Sequence, residues 1–554
     1  MSTAAEPSEL SREDKDEVRG RIFRHDDGIG VGPPLWALHA RGAIPALLAR
    51  RRMSMKQIVA LVGGHRGYLH VAMRLLASQG WVELKGTPAT DELAWLPTAR
   101  GDAAMALAPH YLDAVAFLPA ATRMPALLFG GAARATPVPY PELVARALRG
   151  WELPSTDDIN DPVNQVRHHL DGLLAGPTVI ALKNAGVLDR FSEANPALDL
   201  GSISGDRSAL DAAFELLQSF GWVQKRGPHL EATPRGLFAF ASSRAWAYGV
   251  PVSYLPLLSR LDELIFGEDP GALFARDAKG NETHVQRALN VKASGAAHTP
   301  YFRKIDEIVV EIFSRPIEQQ PKFICDMGSG DGTFLKHLWE VIWDRTPRGA
   351  AIQRGTAPLL MIGADYNPDA RHATASTLQA AGIAHRVVFG DINDPDALAI
   401  ALKEHGVTMS EGMHVRSFLD HNRPYTGVRD AAAAAKRVAK TTGAFAWRGR
   451  AIPNGELEQN LVEHFRRWAP YVARFGLLVL ELHTLPTPLA AANIGRTLAT
   501  GYDATHGFSD QLTVEADVFE ACAREAGLTP DPRHAARFPP GPLSTVTINR
   551  FSAG

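Results

Sequence analysis

The sequence predicts an α/β protein in which a doubly wound sheet follows two smaller α+β repeats. Three observations lead to this fold class. Residues 1–245 contain an internal repeat, a glycine-rich turn follows a short apolar strand near residue 326, and three successive strands each end in a carboxylate. The repeat indicates a duplicated module, and the strand ends indicate a ligand crevice.

The composition is that of an ordinary globular protein. The 554 residues are 45% apolar and 21% charged, which leaves room for three or more domains. A net charge of −2 gives no basic field for nucleic acid or anionic membranes. The N-terminal sequence lacks the apolar core of a signal peptide, and no stretch approaches the ~18 apolar residues of a membrane span. We therefore expect a cytoplasmic protein with neither a nucleic-acid nor a membrane partner.

The cysteines exclude two kinds of site. Cys325 and Cys522 are the two cysteines of the chain, so they build no disulfide framework and no CxxC zinc motif. Cys325 lies in an apolar run, which predicts a buried core thiol.

The N-terminal repeat has a winged-helix pattern. The Gly-Trp-Val motif at 80–82 returns at 221–223, and the Thr-x-Arg-Gly motif at 98–101 returns at 233–236. In each copy, helical periodicity stops at a glycine and passes into a strand-like segment. Three helices and a small hairpin are expected in each copy.

A winged helix often binds DNA, but the residues here argue against that function. The third helix of the first copy carries only two cations, Arg66 and Arg74. The corresponding helix of the second copy carries Asp211 and Glu215 instead. Because base readout needs cations or amides on that helix, we expect packing, lid or dimerisation modules, through which a homodimer could form.

These patterns predict five segments. They are a polar N-terminal tail (1–22), a first winged-helix-like unit (23–150), a second one (151–245), a helical lid or connector (246–300) and a catalytic α/β domain (301–554).

The glycine-rich turn predicts a cofactor site. A short strand ends in Asp326, and Gly328, Gly330 and Asp331 lie in the turn that opens the next helix. Glycines let a ligand approach the backbone closely at the carboxyl end of a strand. A dinucleotide fold is the competing interpretation, but its GxGxxG spacing differs from the GxGxG found here.

The next two strand ends favour S-adenosylmethionine. A strand predicted at 359–364 runs into Asp365 and Tyr366, where a carboxylate can accept hydrogen bonds from both ribose hydroxyls. A third strand, 386–389, is followed by Asp391 and Ile392, which suit the adenine amino group and ring. The pattern predicts a class I S-adenosylmethionine-dependent methyltransferase with a Rossmann-like sheet.

The rest of the chain completes such a sheet. The predicted elements are a loop-like insertion (346–358), strand four (414–418), an inserted hairpin (444–451), a helix (456–473), strand five (477–482), a helix (515–526) and a closing strand (543–551).

Polar residues after strands four and five are the candidates for chemistry. His421 and His483 each follow one of these strands, and Asp420 could orient a histidine. His506 and Gln511 lie in the loop beyond strand five. An oxygen nucleophile needs a base such as histidine, whereas a carbon nucleophile needs its enolate oxygen stabilised. Histidines clustered with a carboxamide could hold iron or manganese.

Several motifs resemble a known family. DMGSGDGTFLK (326–336), GADYNPDA (363–370), HVRSFLDHNRPY (414–425) and LLVLELHTLP (477–486) resemble the metal-dependent C-methyltransferase domains of polyketide synthase loading modules, typified by the saxitoxin and apratoxin pathways. The resemblance covers about 285–530. It implies binding of S-adenosylmethionine and one Fe or Mn ion, and methylation of a malonyl-like acyl group on an acyl carrier protein.

The resemblance also implies residue roles. His421, His506 and Gln511 are the implied metal ligands, and His483 is an alternative ligand or a base. Arg423 and Tyr425 of the 414–425 motif join His421 and His483 as candidate catalytic residues.

The chain departs from the family because it contains neither a decarboxylase domain nor a carrier-type DSL site. This predicts an enzyme that acts in trans or on a free small molecule. Two alternatives stay open. One is a metal-independent small-molecule O-methyltransferase with His421 or His483 as base, and the other is a DNA-binding regulator that senses S-adenosylmethionine.

Overall fold

The computed structural model describes residues 10–86, 93–130, 136–278, 280, 282–296 and 299–553. It divides into two compact units. The N-terminal unit comprises Met1–Ala297, Ala446–Ala451 and Thr487–Ser509, and the C-terminal unit comprises His298–Phe445, Ile452–Pro486 and Asp510–Gly554. Two late segments thus belong to the N-terminal unit although they lie within the predicted 301–554 domain.

The N-terminal unit contains two small antiparallel sheets of the same design. The first has the order β1-β3-β2, from β1 (Met53–Ser54), β2 (Val82–Lys85) and β3 (Ala94–Pro97). The second has the order β4-β6-β5, from β4 (Ala197–Asp199), β5 (Val223–Arg226) and β6 (His229–Ala232). The shared strand order confirms the two predicted winged-helix-like α+β units.

The two copies also share the contact that closes each wing. Thr98 and Thr233 cap the helix behind the wing, and their hydroxyls accept the backbone N–H of Gly101 and Gly236 at 2.9 and 3.0 Å. A Cβ at either glycine would lie 1.8 Å from the carbonyl oxygen of the tryptophan that precedes the second strand. Only glycine allows the helix and the wing to approach this closely.

Helices make up most of the N-terminal unit. Their bounds are Arg12–Ala40, Ala43–Arg50, Met55–Val62, Arg66–Ser78, Ala99–Ala106, Leu112–Ala116, Leu118–Ala121, Met124–Phe129, Tyr140–Leu148, Pro162–Asn184, Arg207–Ser219, Pro234–Phe240, Ser242–Ala245, Gly249–Ser253, Leu255–Leu258, Leu261–Phe266, Arg287–Ala296, Thr487–Ala491 and Ala499–Phe508. The first begins inside the predicted polar tail, because the Ser11 hydroxyl caps it by accepting the Asp14 N–H at 3.0 Å.

In the described part of the chain, no single helix has both the length and the apolar character needed to cross a membrane. One bent pair, Ala99–Ala106 with Ala108–Ala121, meets the criterion by length and composition alone.

A seven-stranded sheet forms the core of the C-terminal unit, with the order β14-β15-β13-β10-β7-β8-β9. Its strands are β7 (Phe323–Met327), β8 (Leu360–Asp365), β9 (His385–Phe389), β10 (Met413–Ser417), β13 (Leu477–Leu482), β14 (Leu528–Phe538) and β15 (Val546–Ala553). A separate hairpin of β11 (Phe445–Trp447) and β12 (Arg450–Ile452) belongs mostly to the N-terminal unit. The β15 strand pairs antiparallel with β13 and β14, and the other pairs are parallel.

The strand order places a switch point between β7 and β10. The chain passes from β7 outward to β8 and β9, then returns to β10 on the other side of β7. Loops leaving β7 and β10 therefore diverge, which opens a crevice at their carboxyl ends. This is the predicted location of the cofactor.

The helices of the C-terminal unit are Thr299–Phe313, Thr333–Arg345, Pro347–Gln353, Pro368–Ala380, Pro395–Glu404, Ala431–Lys436, Asn454–Val472 and Ala516–Glu525. The prediction of a loop-like insertion at 346–358 was wrong, because Pro347–Gln353 is helical. Thr346 caps this helix by accepting the Gly349 N–H at 3.2 Å, and Pro347 occupies its first position, where no N–H is needed.

The long edge strand β14 was not predicted. Its sequence contains Pro530 and Pro532, which interrupt the alternating pattern of a strand. It tolerates them because it lies at the edge of the sheet, and its register with β15 shifts between Pro530 and Ala535.

A buried histidine in β10 predicts a pH dependence of stability. His414 donates from Nε2 to the Met409 carbonyl at 2.9 Å, and burial lowers the pKa of His414 to about 4. The unfolded chain takes up this proton near pH 6.5, so the stabilisation is present above pH 6.5 and is lost as the pH falls toward 4. Urea titrations at pH 7 and pH 5 give the change in the free energy of unfolding between the two pH values. This change should be about 2 kcal/mol smaller in His414→Gln than in the native chain. An equal difference in both proteins would contradict the buried neutral state.

Candidate functional site

The turn after β7 is shaped by three glycines in the left-handed region. Gly328, Gly330 and Gly332 have φ values of 80°, 56° and 78°. A Cβ at Gly328 would lie 3.0 Å from the Leu419 side chain, and one at Gly332 would lie 3.0 Å from the Cα of Thr374. The turn therefore needs glycine both for its backbone angles and for space. Asp331 follows the same turn and accepts the Thr333 N–H at 3.0 Å.

Asp326 lies beneath this turn with an unsatisfied oxygen. It is 2% exposed, and its Oδ1 has no hydrogen-bond partner among the described residues. Burial, and then the negative charge of Asp365, raises the pKa of Asp326 well above its usual range. A buried acceptor without a partner costs stability unless a ligand supplies a donor. Asp326 thus fits a cationic or N–H-bearing part of a ligand in the crevice.

Asp365 is fixed at the end of β8 by backbone donors. One carboxylate oxygen accepts the Gly330 N–H at 3.2 Å, and the other accepts the Asn367 N–H at 2.8 Å. These bonds join the glycine turn to the second strand end and orient the carboxylate. Each oxygen keeps a second lone pair, so the group can still accept the two hydroxyls of a ribose.

The remaining predicted cofactor residues lie at neighbouring strand ends. Tyr366 is 62% exposed directly after β8, as a ring that covers a ligand would be before binding. After β9, Asp391 accepts the Asn393 N–H at 2.8 Å. Ile392 is buried, and its carbonyl accepts the indole N–H of Trp468 at 2.8 Å. The glycine turn and the three carboxylates thus fit S-adenosylmethionine along the ends of β7, β8 and β9.

His421 is held by a buried glutamate. It lies in the short turn Asp420–Asn422 after β10, and its Nδ1 forms a close hydrogen bond with the Glu481 carboxylate from β13. Glu481 is 1% exposed and also accepts the Asp420 N–H at 2.8 Å. Because a carboxylate only accepts, Nδ1 carries the proton and the lone pair lies on Nε2. This tautomer suits His421 as a ligand or a base.

Asp420 orients a different histidine. Its carboxylate forms an ion pair with Arg416 at 2.5 Å and a hydrogen bond with His464 at 3.0 Å, all with fully buried side chains. Burial alone would raise the pKa of Asp420, but the positive charge of Arg416 holds it below its usual range. The guanidinium of Arg416 also lies 4.1 Å from the ring centre of Trp468. This cluster fixes the start of the loop that carries His421.

Arg423 and Tyr425 both form hydrogen bonds that fix the loop after β10. Arg423 donates to the Asp420 carbonyl at 2.7 Å and to the Asn460 side chain at 3.0 Å, and burial lowers its pKa to about 10. The Tyr425 hydroxyl donates to the Glu456 carboxylate. In this arrangement both residues position the loop after β10.

His483 uses both ring nitrogens in the protein interior. Nδ1 lies 3.2 Å from the Val514 carbonyl, and Nε2 lies 2.8 Å from the Thr547 hydroxyl. Since a carbonyl requires a donor, Nδ1 carries the proton and Nε2 accepts from Thr547. Burial lowers the pKa of His483 to about 4. This geometry favours a packing role over the predicted roles of base or ligand.

The three implied metal ligands are divided between the two units. Gln511 belongs to the C-terminal unit, where the next residue, Leu512, donates its N–H to the His421 carbonyl at 2.7 Å. His506 belongs to the N-terminal unit, where its Nδ1 donates to the Tyr502 carbonyl at 2.7 Å. His506 therefore has its lone pair on Nε2, as does His421.

Glu481 is the residue that the sequence interpretation missed. It stands alone as a charge in the apolar strand Leu477–Leu482, which is buried along its whole length. A single carboxylate inside such a strand needs buried donors, so its position was a usable signal.

Several methyltransferases are among the solved structures to which the chain is similar at low identity. They include mitomycin 7-O-methyltransferase MmcR (12% identity, TM-score 0.42, 71% of this chain and 97% of that chain) and human N-acetylserotonin methyltransferase (11%, 0.39, 73% and 100%). CalO1, a methyltransferase in calicheamicin biosynthesis, is 14% identical with a TM-score of 0.38, over 72% of this chain and 100% of that chain. No curated protein matches the sequence.

Three family profiles match the chain. The AprA N-terminal domain matches residues 18–84, the AprA winged helix domain matches 171–268, and the AprA MT2-like domain, a methyltransferase family, matches 282–549. The last match contains β7 to β13, the glycine turn and the three strand-end carboxylates. The chain is therefore an S-adenosylmethionine-dependent methyltransferase with a winged-helix domain before a class I catalytic domain, and three successive segments of it are similar to AprA domains.

Proposed function

We propose that this methyltransferase transfers a methyl group to the α-carbon of an activated, malonyl-like acyl group, either free or bound to an acyl carrier protein. The observation that carries the proposal is the His421–Glu481 pair, which lies at the carboxyl ends of β10 and β13. The match to the AprA MT2-like domain supports methyl transfer, and the motif resemblance implies the carbon acceptor.

The cofactor residues and the chemical residues have separate tasks. S-adenosylmethionine supplies a methyl group on a sulfonium, which makes the transfer an in-line displacement. The glycine turn, Asp326 and Asp365 hold the cofactor at the ends of β7 and β8. A substrate above β10 and β13 would then present its nucleophile beside His421. The protein accelerates the transfer by aligning the two reactants in this crevice.

The residues also fit a divalent ion. His421 has its Nδ1 proton fixed by a buried carboxylate, which is the usual arrangement for an imidazole that ligates through Nε2. His421 and Gln511, both in the C-terminal unit, would hold Fe or Mn through an imidazole and a carboxamide, which such ions accept. A bound ion would supply positive charge for the carbonyl oxygen that becomes an enolate.

The same pair supports a second candidate function, metal-independent O-methylation. A histidine whose Nδ1 proton is held by a carboxylate is well suited to remove a proton through Nε2. In that reaction His421 would be the general base for a hydroxyl of a small molecule, and Gln511 and His506 would have no ligand role.

Isotopic labelling separates the two functions. The full chain is incubated with S-adenosylmethionine bearing a deuterated methyl group and with malonyl thioesters of pantetheine and of a carrier protein. We expect the label on the α-carbon, and loss of turnover after treatment with a chelator. Label on an oxygen of a hydroxylated substrate, formed equally well by demetallated enzyme, would replace the C-methylation proposal with O-methylation.

A further inference from the structure

The two long helices Arg12–Ala40 and Pro162–Asn184 of the N-terminal unit cross where each of them has a glycine. In Arg12–Ala40 a Cβ at Gly28 would lie 2.3 Å from the Cα of His169, and in Pro162–Asn184 a Cβ at Gly172 would lie 2.2 Å from the carbonyl oxygen of His25. The backbones touch at this crossing, so side chains beside it are pressed together without freedom to move apart.

The crossing brings two histidines and a carboxylate into one cluster. His25, His168 and Asp171 are 0%, 8% and 8% exposed. One potential ligand atom from each residue lies within 4.8 Å of the others. His168 and Asp171 are three residues apart on one helix, so they share a face that points to His25 on the other helix. Two imidazoles and a carboxylate at this separation can bind one transition-metal ion.

Neighbouring side chains orient two members of the cluster and leave nitrogens unsatisfied. His25 Nδ1 lies 2.7 Å from the Tyr248 hydroxyl, and Asp171 accepts the indole N–H of Trp151 at 2.8 Å. His25 Nε2 and His168 Nδ1 are buried and have no hydrogen-bond partner among the described residues. Whichever tautomer His25 adopts, its Nε2 is an unpaired buried polar atom, and an ion bound there would remove that cost.

The charges around the cluster set the requirements for a cation. Burial and the neighbouring arginines Arg21 and Arg24 lower the pKa of His25 and of His168, so both rings are neutral and able to ligate. The positive charges of these two arginines repel a cation, so an ion that is bound only weakly would not be retained. A strongly ligated divalent ion, balanced by the Asp171 carboxylate, fits this environment better than an exchangeable alkali or alkaline-earth ion.

A cavity lies beside the cluster in the same unit. It has a volume of about 1000 Å³ and is lined by His168 together with Arg21, Arg24 and Arg100. His168 therefore borders both the cavity and the buried cluster.

We propose that His25, His168 and Asp171 form a zinc-binding site in the N-terminal unit, separate from any ion at His421. Its role is to clamp the two crossed helices. The site is independent of the proposed function, because none of its three residues lies in the C-terminal unit.

Zinc titration of the full chain tests this site. All measurements use a His421→Ala background, so that an ion at the catalytic site does not contribute. After removal of metal with a chelator, the parent protein should bind one equivalent of Zn²⁺, and its melting temperature should rise. Asp171→Asn keeps an acceptor for Trp151 and His168→Gln keeps a polar side chain, yet each should weaken zinc binding at least about tenfold.

A matched carboxylate provides the control. Asp27 is also buried, near the same crossing, but is not a member of the cluster. Asp27→Asn should bind zinc as the parent protein does. Unchanged zinc affinity in both Asp171→Asn and His168→Gln would overturn the proposal. If these variants do not fold, the parent protein decides the question, because a chain whose melting temperature is unaffected by zinc has no such site.

Discussion

Replacing Asp365 with alanine should weaken S-adenosylmethionine binding at least about a hundredfold. The Asp365 carboxylate is held by the backbone N–H groups of Gly330 and Asn367, and it faces the crevice at the end of β8. Each hydrogen bond from a ribose hydroxyl to a charged acceptor is worth about 1.5–3 kcal/mol, and the substitution removes two of them. It also removes the acceptor that joins the glycine turn to β8. Calorimetric titration with S-adenosylmethionine measures the loss.

Asp369→Ala is the matched control for this prediction. Asp369 lies four residues further along the chain, is exposed, and is in the first turn of the following helix. Its removal takes one negative charge from the same region without changing the crevice. Equal affinities of the Asp365→Ala and native chains would show that the ribose is bound elsewhere, and the assignment of the cofactor site would have to be withdrawn.

The cofactor-binding residues were predictable because the patterns that indicate them are local in the sequence. Each strand end carries its own carboxylate within a few residues of an apolar run, and the glycine spacing identifies the turn without knowledge of the fold. The strand predictions for β8, β9, β10 and β13 agree with the structure to within about a residue at most ends. The fold class and the methyltransferase activity follow from these same local patterns.

The residues around His421 and Glu481 were less predictable because their arrangement depends on contacts between residues that are distant in the sequence. Glu481 and His421 are 60 positions apart, and Asp420 and His464 are 44 apart, so no spacing rule links them. The sequence suggested that Asp420 orients a histidine, but only the fold, which places the helix Asn454–Val472 beside the turn after β10, identifies His464 as that histidine. The assignment of His506 to the N-terminal unit likewise follows from the folded chain.

Substitution of Glu481 should cause a large loss of catalytic rate. Glu481→Gln should lower kcat about a hundredfold while leaving S-adenosylmethionine affinity within about twofold of the native value. Glutamine cannot accept from every donor that surrounds the carboxylate. These donors are the His421 Nδ1–H and the backbone N–H groups of Asp420, His421 and Leu482. His421 would then lose its fixed tautomer and orientation, whereas none of these donors belongs to the cofactor loops after β7 and β8.

Glu515→Gln separates this effect from general loss of stability. Glu515 is also buried, and it accepts the Thr442 N–H at 2.8 Å and the Thr441 hydroxyl at 2.6 Å in the same unit. Both substitutions remove one buried charge and disturb one loop, so both should lower the melting temperature. Only Glu481→Gln should lower kcat strongly, since only Glu481 holds His421. A similar fall of kcat in both variants would trace the loss to general destabilisation, and the orienting role assigned to Glu481 would have to be withdrawn.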